Sequence, residues 1–247
     1  MKSAYPLTFN NQTTAHVVEL SAPDQVGDAL RTLEMPSPKA TLVVVGGASG
    51  LTEAYLEGLE NLFVKVICPF VEAHRLAVVD GGTDSGVMRL MGKARTRTRG
   101  KFPLLGVVVK QKTFLPGETA AEEDAAALEP NHTHFVLVPG QEWGDESPWI
   151  AQVADAVAGG MPSATLLING GAIALNQDVP NSLDSQRPVL VIAGSGRAAD
   201  QLAAALRGSA GNDQLATMIN TGLIQAVNLD EGEVKVRQAL NQVFGAK

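Results

Sequence analysis

The chain has 247 residues, 45% hydrophobic and 18% charged, with a formal net charge of −7 and a pI of about 5.1. That balance supports a large core and argues against a nucleic-acid binder, which needs a basic face to neutralise phosphates. A single cysteine, Cys68, excludes an internal disulfide and a cysteine-rich metal site.

In chain order, Ala15 to Leu20 read as a short strand. Asp24 to Leu33 carry helical spacing at Val26, Leu30 and Leu33, and Pro36 and Pro38 stop that helix. Thr41 to Val45 is the first buried strand. A helical stripe runs from Leu51 to Val66, and Cys68 beyond it reads as a small buried hydrophobe. Leu76 to Val79 is a strand; Val87, Leu90, Met91 and Ala94 mark a helix; Leu104 to Val109 is a strand. Gly117 to Pro130 reads as a surface loop with one helical turn, and the acids from Glu118 to Glu129 as a wet surface. Phe135 to Val138 is a strand, Pro148 to Val157 a helix, Thr165 to Ile168 a strand and Gly171 to Asn176 a short helix. Val189 to Ile192 is a strand, Ala198 to Leu206 a helix and Leu223 to Val227 the last strand. Asp230 with Glu233 resembles a capping box before a final helix that presents Val236, Leu240, Val243 and Phe244.

Continuous apolar strands alternating with helices predict a parallel sheet covered on both faces. The expected class is α/β: Rossmann-like, with a mostly parallel sheet. Without a low-complexity linker or a fixed-period repeat, the expectation is a single domain over residues 1–247. No run nears the roughly 18 apolar residues of a membrane span, and the N-terminus lacks a signal-peptide core. The expected address is therefore cytoplasmic, with neither membrane nor nucleic acid as partner.

Four apolar runs end in glycines ahead of a helix start: Val45-Gly46-Gly47-Ala48-Ser49-Gly50, Asp80-Gly81-Gly82-Thr83-Asp84-Ser85-Gly86, Ile168-Asn169-Gly170-Gly171 and Ala193-Gly194-Ser195-Gly196-Arg197. Such turns expose amides at a helix start, and in a parallel sheet they share the carboxyl edge. The second turn is the strongest signal, with hydroxyls at Thr83 and Ser85. The fourth fits G-x-G-x-x-A, though late in the chain, and Arg197 there suits a phosphate. The first and third read equally well as structural turns.

Arg89, one turn into its helix, opposes the helix dipole unless an anion lies nearby. Lys93, Arg95, Arg97, Arg99 and Lys101 read as a solvated helix end. His132 and His134 read as structural hydrogen bonders, because no carboxylate or cysteine cluster supports a metal. Gly144-Asp145-Glu146 precedes a helix, where acids suit the dipole or a ribose hydroxyl.

Three segments together resemble one known family. They are Val78-Val79-Asp80-Gly81-Gly82-Thr83-Asp84-Ser85-Gly86-Val87-Met88-Arg89, His132-Thr133-His134-Phe135-Val136-Leu137-Val138 with Gly144-Asp145-Glu146, and Arg187-Pro188 through Gly194-Ser195-Gly196-Arg197-Ala198-Ala199-Asp200. Over Thr41 to Leu206 the chain resembles the SLOG superfamily, and most of all its LSDAT branch, the bacterial relatives of the cytosolic N-terminal domain of TRPM channels. The resemblance implies a sensor domain for a nucleotide-derived ligand such as ADP-ribose or a NAD-related molecule. No further cofactor is implied. The output would pass through a homo-oligomer or an effector protein. The implied contacts are Gly46, Gly47, Gly81, Gly82, Thr83, Gly86, Arg89, Gly170, Gly171, Gly194, Ser195, Gly196 and Arg197, all for binding and none for catalysis or metal.

The alternative is a nucleotide or nucleotide-sugar hydrolase or N-glycosidase related to the LOG enzymes, which belong to the same superfamily. Their motif is P-G-G-x-G-T-x-x-E. Aligned on Gly81-Gly82, this chain has Asp80 for the proline, Asp84 and Ser85 for Gly and Thr, and Met88 for the glutamate. A thioether neither takes up a proton nor stabilises a cationic sugar as a carboxylate does. Asp84, Asp145 or Glu146 would have to substitute.

Overall fold

The structure is a computed structural model and describes residues 3–47, 53–120, 122–209 and 212–245. Strands β1 (Tyr5–Thr8) and β2 (Thr14–Glu19) form a hairpin, followed by α1 (Val26–Thr32) and β3 (Ala40–Gly46). Next come α2 (Glu53–Leu62), a π turn (Phe63–Ile67), α3 (Cys68–Ala73), β4 (Leu76–Asp80), α4 (Gly86–Arg97) and β5 (Leu104–Val109). The short strands β6 (Thr113–Phe114) and β7 (Ala126–Ala127) pair with each other. They are followed by β8 (His134–Val138), α5 (Ser147–Ala158), β9 (Ser163–Ile168), a second π turn (Ala174–Asp178) and α6 (Val179–Asp184). The chain then runs through β10 (Val189–Ala193), α7 (Arg197–Leu206), α8 (Asp213–Asn220), β11 (Ile224–Asn228) and α9 (Glu233–Val243).

Nine strands make one sheet in the order β1-β2-β8-β5-β4-β3-β9-β10-β11, parallel except for β1. Period-2 alternation builds two cores. Val43 and Val45 of β3 face one layer, with Trp149 and Val153 of α5 and Leu202 of α7. Leu42 and Val44 face the other, with Phe63, Phe70, Met91 and Val236. From β3 the chain moves outward through β4, β5 and β8, then returns to place β9 on the opposite side of β3. The β3/β9 boundary is therefore the topological switch point, where open α/β sheets take ligands.

The expected parallel α/β architecture is present, and several local expectations need correction. The helix expected to end at Val66 continues to Ala73, and the one expected to end at Asn176 continues to Asp184. In both, a π turn lies just ahead of a proline, Pro69 or Pro180. The widened turn accommodates a ring that would otherwise clash with the carbonyl four residues back. Strand β1 and helix α8 were not expected. The capping box before α9 is made by Asn228 and Glu231, not by Asp230 and Glu233, and it closes a 3-10 turn over Leu229–Glu231. Residues 117–130 are more than a wet loop, because β7 lies within them and Glu129 is buried. Arg95 is not a solvated cation: its Nε donates to the Phe102 carbonyl at 2.9 Å, and its guanidinium lies 5.5 Å from the Phe102 ring centroid. Ala48, Ser49, Gly50 and the expected helix start at Leu51 lie outside the described residues. Among the described residues, no helix is long and apolar enough to cross a membrane.

Candidate functional site

A cavity of about 660 Å³ opens at the carboxyl ends of β3, β4 and β9. Its size falls within the roughly 300–1,000 Å³ of small-molecule sites. Of the thirteen contacts implied by the family resemblance, Gly46, Gly47, Gly81, Thr83, Gly171 and Arg197 line it. Gly82, Gly86, Gly170, Ser195 and Gly196 shape the turns without lining it, and Arg89 and Gly194 lie elsewhere.

Each turn has its own physical reason. A Cβ on Gly46 would lie 2.4 Å from the Ile168 carbonyl oxygen, so only glycine lets β3 end beside β9. Gly82 sits at φ +61°, and its Cβ would lie 2.8 Å from Gly106 Cα. That contact seats the β4 turn on β5 and leaves Gly81 toward the cavity beside Met88. Arg89 is tied back to its own turn, with Nε donating to Asp84 Oδ1 at 2.7 Å and Nη2 donating to the Asp84 carbonyl. The anion beside it is thus a protein carboxylate.

The third and fourth turns are stapled together. Asn169, at φ +58°, donates its amide to Ser195 Oγ at 2.7 Å and its side-chain Nδ2 to the Ser195 carbonyl at 2.8 Å. The first amides of α7 are consumed in the staple: Ala198 N donates to the Gly170 carbonyl at 3.3 Å and Ala199 N to the Asn169 carbonyl at 2.9 Å. The fingerprint-like Gly194-Ser195-Gly196 turn is therefore structural, and Gly194 lines a separate surface hollow with Lys65 and Gly232. What the turn delivers to the cavity is the side chain of Arg197. That residue has φ +48°, a costly conformation for a non-glycine residue. The strongest signal, the β4 turn, lines the cavity through Gly81, Thr83 and Ser85, as do the two plainer turns, while the fingerprint-like turn supports them from behind.

Two carboxyl groups form another wall, Glu146 at the start of α5 and Asp178 in the second π turn. Burial pushes the Asp178 carboxyl up to about 7; the Ser147 hydroxyl opposes this and the Glu146 charge adds to it. Asp178 and the Ser147 hydroxyl are near enough for the hydroxyl to favour the charged acid, but the contact falls short of full hydrogen-bond geometry, and buried Asp178 Oδ1 and Ser147 Oγ have no other partner among the described residues. Burial likewise raises Glu146, against the Gly144 amide, which donates to its Oε2 at 2.9 Å. Of the three acids considered as substitutes for the missing glutamate, only Glu146 lines the cavity. Asp84 is engaged with Arg89, and Asp145 accepts the amides of Gln141 and Glu142 at 2.8 and 3.1 Å. Asp178 was not anticipated, because the sequence pattern ended its helix at Asn176.

The remaining wall comes from Asp124, Ala126 and Trp143. Buried Lys112 donates to Glu122 Oε2 at 2.7 Å and to Asp124 at 3.1 Å. The Trp143 indole donates to the Asp124 carbonyl at 3.2 Å, and Asp84 N donates to the Ala127 carbonyl at 2.8 Å. A stretch that reads as a loop is thus fastened over the site.

Behind the β4 turn lies a fully buried triad. His132 Nε2 is 2.8 Å from Asp80 Oδ1, and His132 Nδ1 is 2.8 Å from Glu129 Oε2. Asp80 Oδ1 also accepts the Gly82 amide at 2.8 Å, and Glu129 N donates to the Gly82 carbonyl at 2.9 Å. Burial alone would lower the His132 pKa, but the Asp80 and Glu129 carboxylates outweigh it and lift it to about 9. His134 goes the other way, to about 4, by burial and the nearby His16. Both histidines of the His-x-His pattern are hydrogen-bonded inside the fold, one shifted up and the other down, and His132 has a carboxylate cluster beside it that the sequence did not reveal.

A family model described as SLOG in TRPM, prokaryote, matches residues 39–238, a span that contains every turn at the cavity. The chain is also similar to a Nematostella vectensis protein named transient receptor potential cation channel subfamily M member-like 2. The two are 25% identical over 257 residues, which cover 88% of this chain and 16% of that relative. The chain therefore spans less than a fifth of the relative's length. With four-fifths of its residues inside the family model and a Rossmann-like sheet that places its glycine turns at the switch point, the chain belongs to the prokaryotic SLOG-in-TRPM family, LSDAT.

Proposed function

We propose that this chain is a sensor domain that binds a nucleotide-derived ligand, of the ADP-ribose or NAD-related class, in the switch-point cavity. The observation that carries the reading is the convergence of Gly47, Gly81 and Gly171 with the Arg197 side chain on one cavity. Glycine lets a phosphate approach the backbone, and a guanidinium supplies bidentate charge. Family membership supports a nucleotide-related ligand. The domain would work without a further cofactor and pass its signal through self-association or an effector protein. Calorimetry with ADP-ribose, cyclic ADP-ribose, NAD and AMP tests this. Saturable binding of at least one is expected; no heat with any of them up to millimolar ligand contradicts it.

A second reading, nucleotide or nucleotide-sugar hydrolysis, draws on one observation: two carboxyl groups with raised pKa line the same cavity. A carboxyl titrating near 7 suits general acid–base work. Against it, Met88 stands where the LOG glutamate would act. Overnight incubation with NAD and nucleoside monophosphates, followed by chromatography, separates the two. Base release that stops in Glu146→Gln would favour hydrolysis.

A further inference from the structure

We propose that Asp178, seconded by Glu146, recognises the free 2′-hydroxyl of the ligand's nucleoside ribose and excludes ligands phosphorylated there. The inference rests on the nucleotide-binding reading above and adds a specificity determinant to it.

The argument starts from the helix that follows β9. Its first turn begins at Gly171, beneath Arg197. Asp178 lies seven residues further on, about 10 Å along the axis by helical rise. A ligand with its diphosphate at Gly171 and Arg197 therefore places its next segment along this wall. The π turn over Ala174–Asp178 interrupts the regular helix at this point, and such turns recur at functional sites.

The chemistry of the wall is acceptor-rich. Glu146 and Asp178 both line the cavity and feel each other's charge, and buried Asp178 Oδ1 has beside it only the Ser147 hydroxyl, which closes no full hydrogen bond with it. An unpaired buried acceptor is costly and is satisfied by a donor such as a sugar hydroxyl. A phosphate in the same place would meet two acids and would either be repelled by their charge or have to protonate them, a cost that a neutral hydroxyl does not carry. The Trp143 indole lines the same cavity. An aromatic face there suits a base, which sets the nucleoside end of the ligand toward the acids.

The test is a matched ligand set on the full chain: ADP-ribose, its 2′-deoxy form and its 2′-phosphorylated form, each titrated calorimetrically into wild type, Asp178→Asn and Glu146→Gln. Wild type is expected to favour ADP-ribose over both analogues by about tenfold or more, as sites built for a hydroxyl do. In Asp178→Asn the preference against the phosphorylated form should fall several-fold, with the melting temperature near that of wild type. A purely structural Asp178 would weaken all three ligands alike and leave their ratios unchanged, which overturns the proposal. Equal affinity of wild type for the three ligands also overturns it, while leaving the nucleotide reading intact. Absence of binding by all three overturns that reading, and this proposal with it.

Discussion

The Arg197 guanidinium lies over Gly171, so that a Cβ added to Gly171 would fall 2.7 Å from Arg197 Nη2. The obstructing atom is the far end of a flexible side chain. Gly171→Ala should therefore displace the cation and leave the fold almost untouched. We expect a melting temperature within about 2 °C of wild type, since surface changes usually stay within about 0.5 kcal/mol. Ligand affinity should fall about tenfold, the scale of one lost charge-assisted contact. Thermal melts and calorimetry on one preparation read both. A large loss of stability with unchanged affinity would contradict the account.

Gly82→Ala should behave in the opposite way. The residue has φ +61°, and its Cβ would meet Gly106 Cα, a backbone atom that cannot swing aside. Left-handed strain and overpacking add, so destabilisation of about 3 kcal/mol is expected. Urea unfolding measures it; a change below about 0.5 kcal/mol would show that β4 and β5 do not approach as described.

Removing the imidazole in His132→Leu leaves Asp80 and Glu129 buried without their shared partner. Breaking such a pair typically costs about 3–5 kcal/mol. The pH dependence has a definite sign. The folded-state pKa of about 9 lies above the unfolded 6.5. The stabilisation is thus fully present below pH 6.5 and is lost as pH rises through 9. Wild type should show a urea midpoint that falls between pH 7 and 9.5, and the variant should lack that component. Parallel curves for the two proteins would show that His132 is not the charged member of this cluster.

Lys112→Met keeps the buried stem and deletes the ammonium that holds Glu122 and Asp124. The cavity wall from Asp124 to Ala127 should then exchange its amides faster, while β5 and β8 keep their protection. Hydrogen exchange by mass spectrometry reads this directly. Unchanged exchange over 122–127 would mean that the Trp143 and Asp84 hydrogen bonds suffice.

Much of this molecule was legible in its sequence, for stated reasons. A strand buried on both faces is apolar along nearly all its length, so β3 (Thr41 apart), β5 and β10 announce themselves. Glycine turns mark the carboxyl edge because nothing with a Cβ fits beside Ile168 or Gly106. Local pattern singles out the β4 turn but does not reveal which of the other turns faces the cavity. That depends on Asn169 reaching Ser195 across 26 positions and consuming the α7 amides. Nor could it place Asp178, because a proline two residues later reads as a helix stop, and the π turn that tolerates it has no sequence signature. Glu129 looked like one more acid in an acidic stretch; its burial is set by His132 and Asp80, and Asp80 comes from a strand 49 positions away.

The most direct measurement is a crystal structure of the chain soaked with ADP-ribose. The diphosphate should lie between Gly47, Gly171 and Arg197, with the nucleoside ribose toward Asp178. A ligand bound at the Gly194 hollow, or a switch-point cavity that stays empty at saturating concentration, would contradict the account.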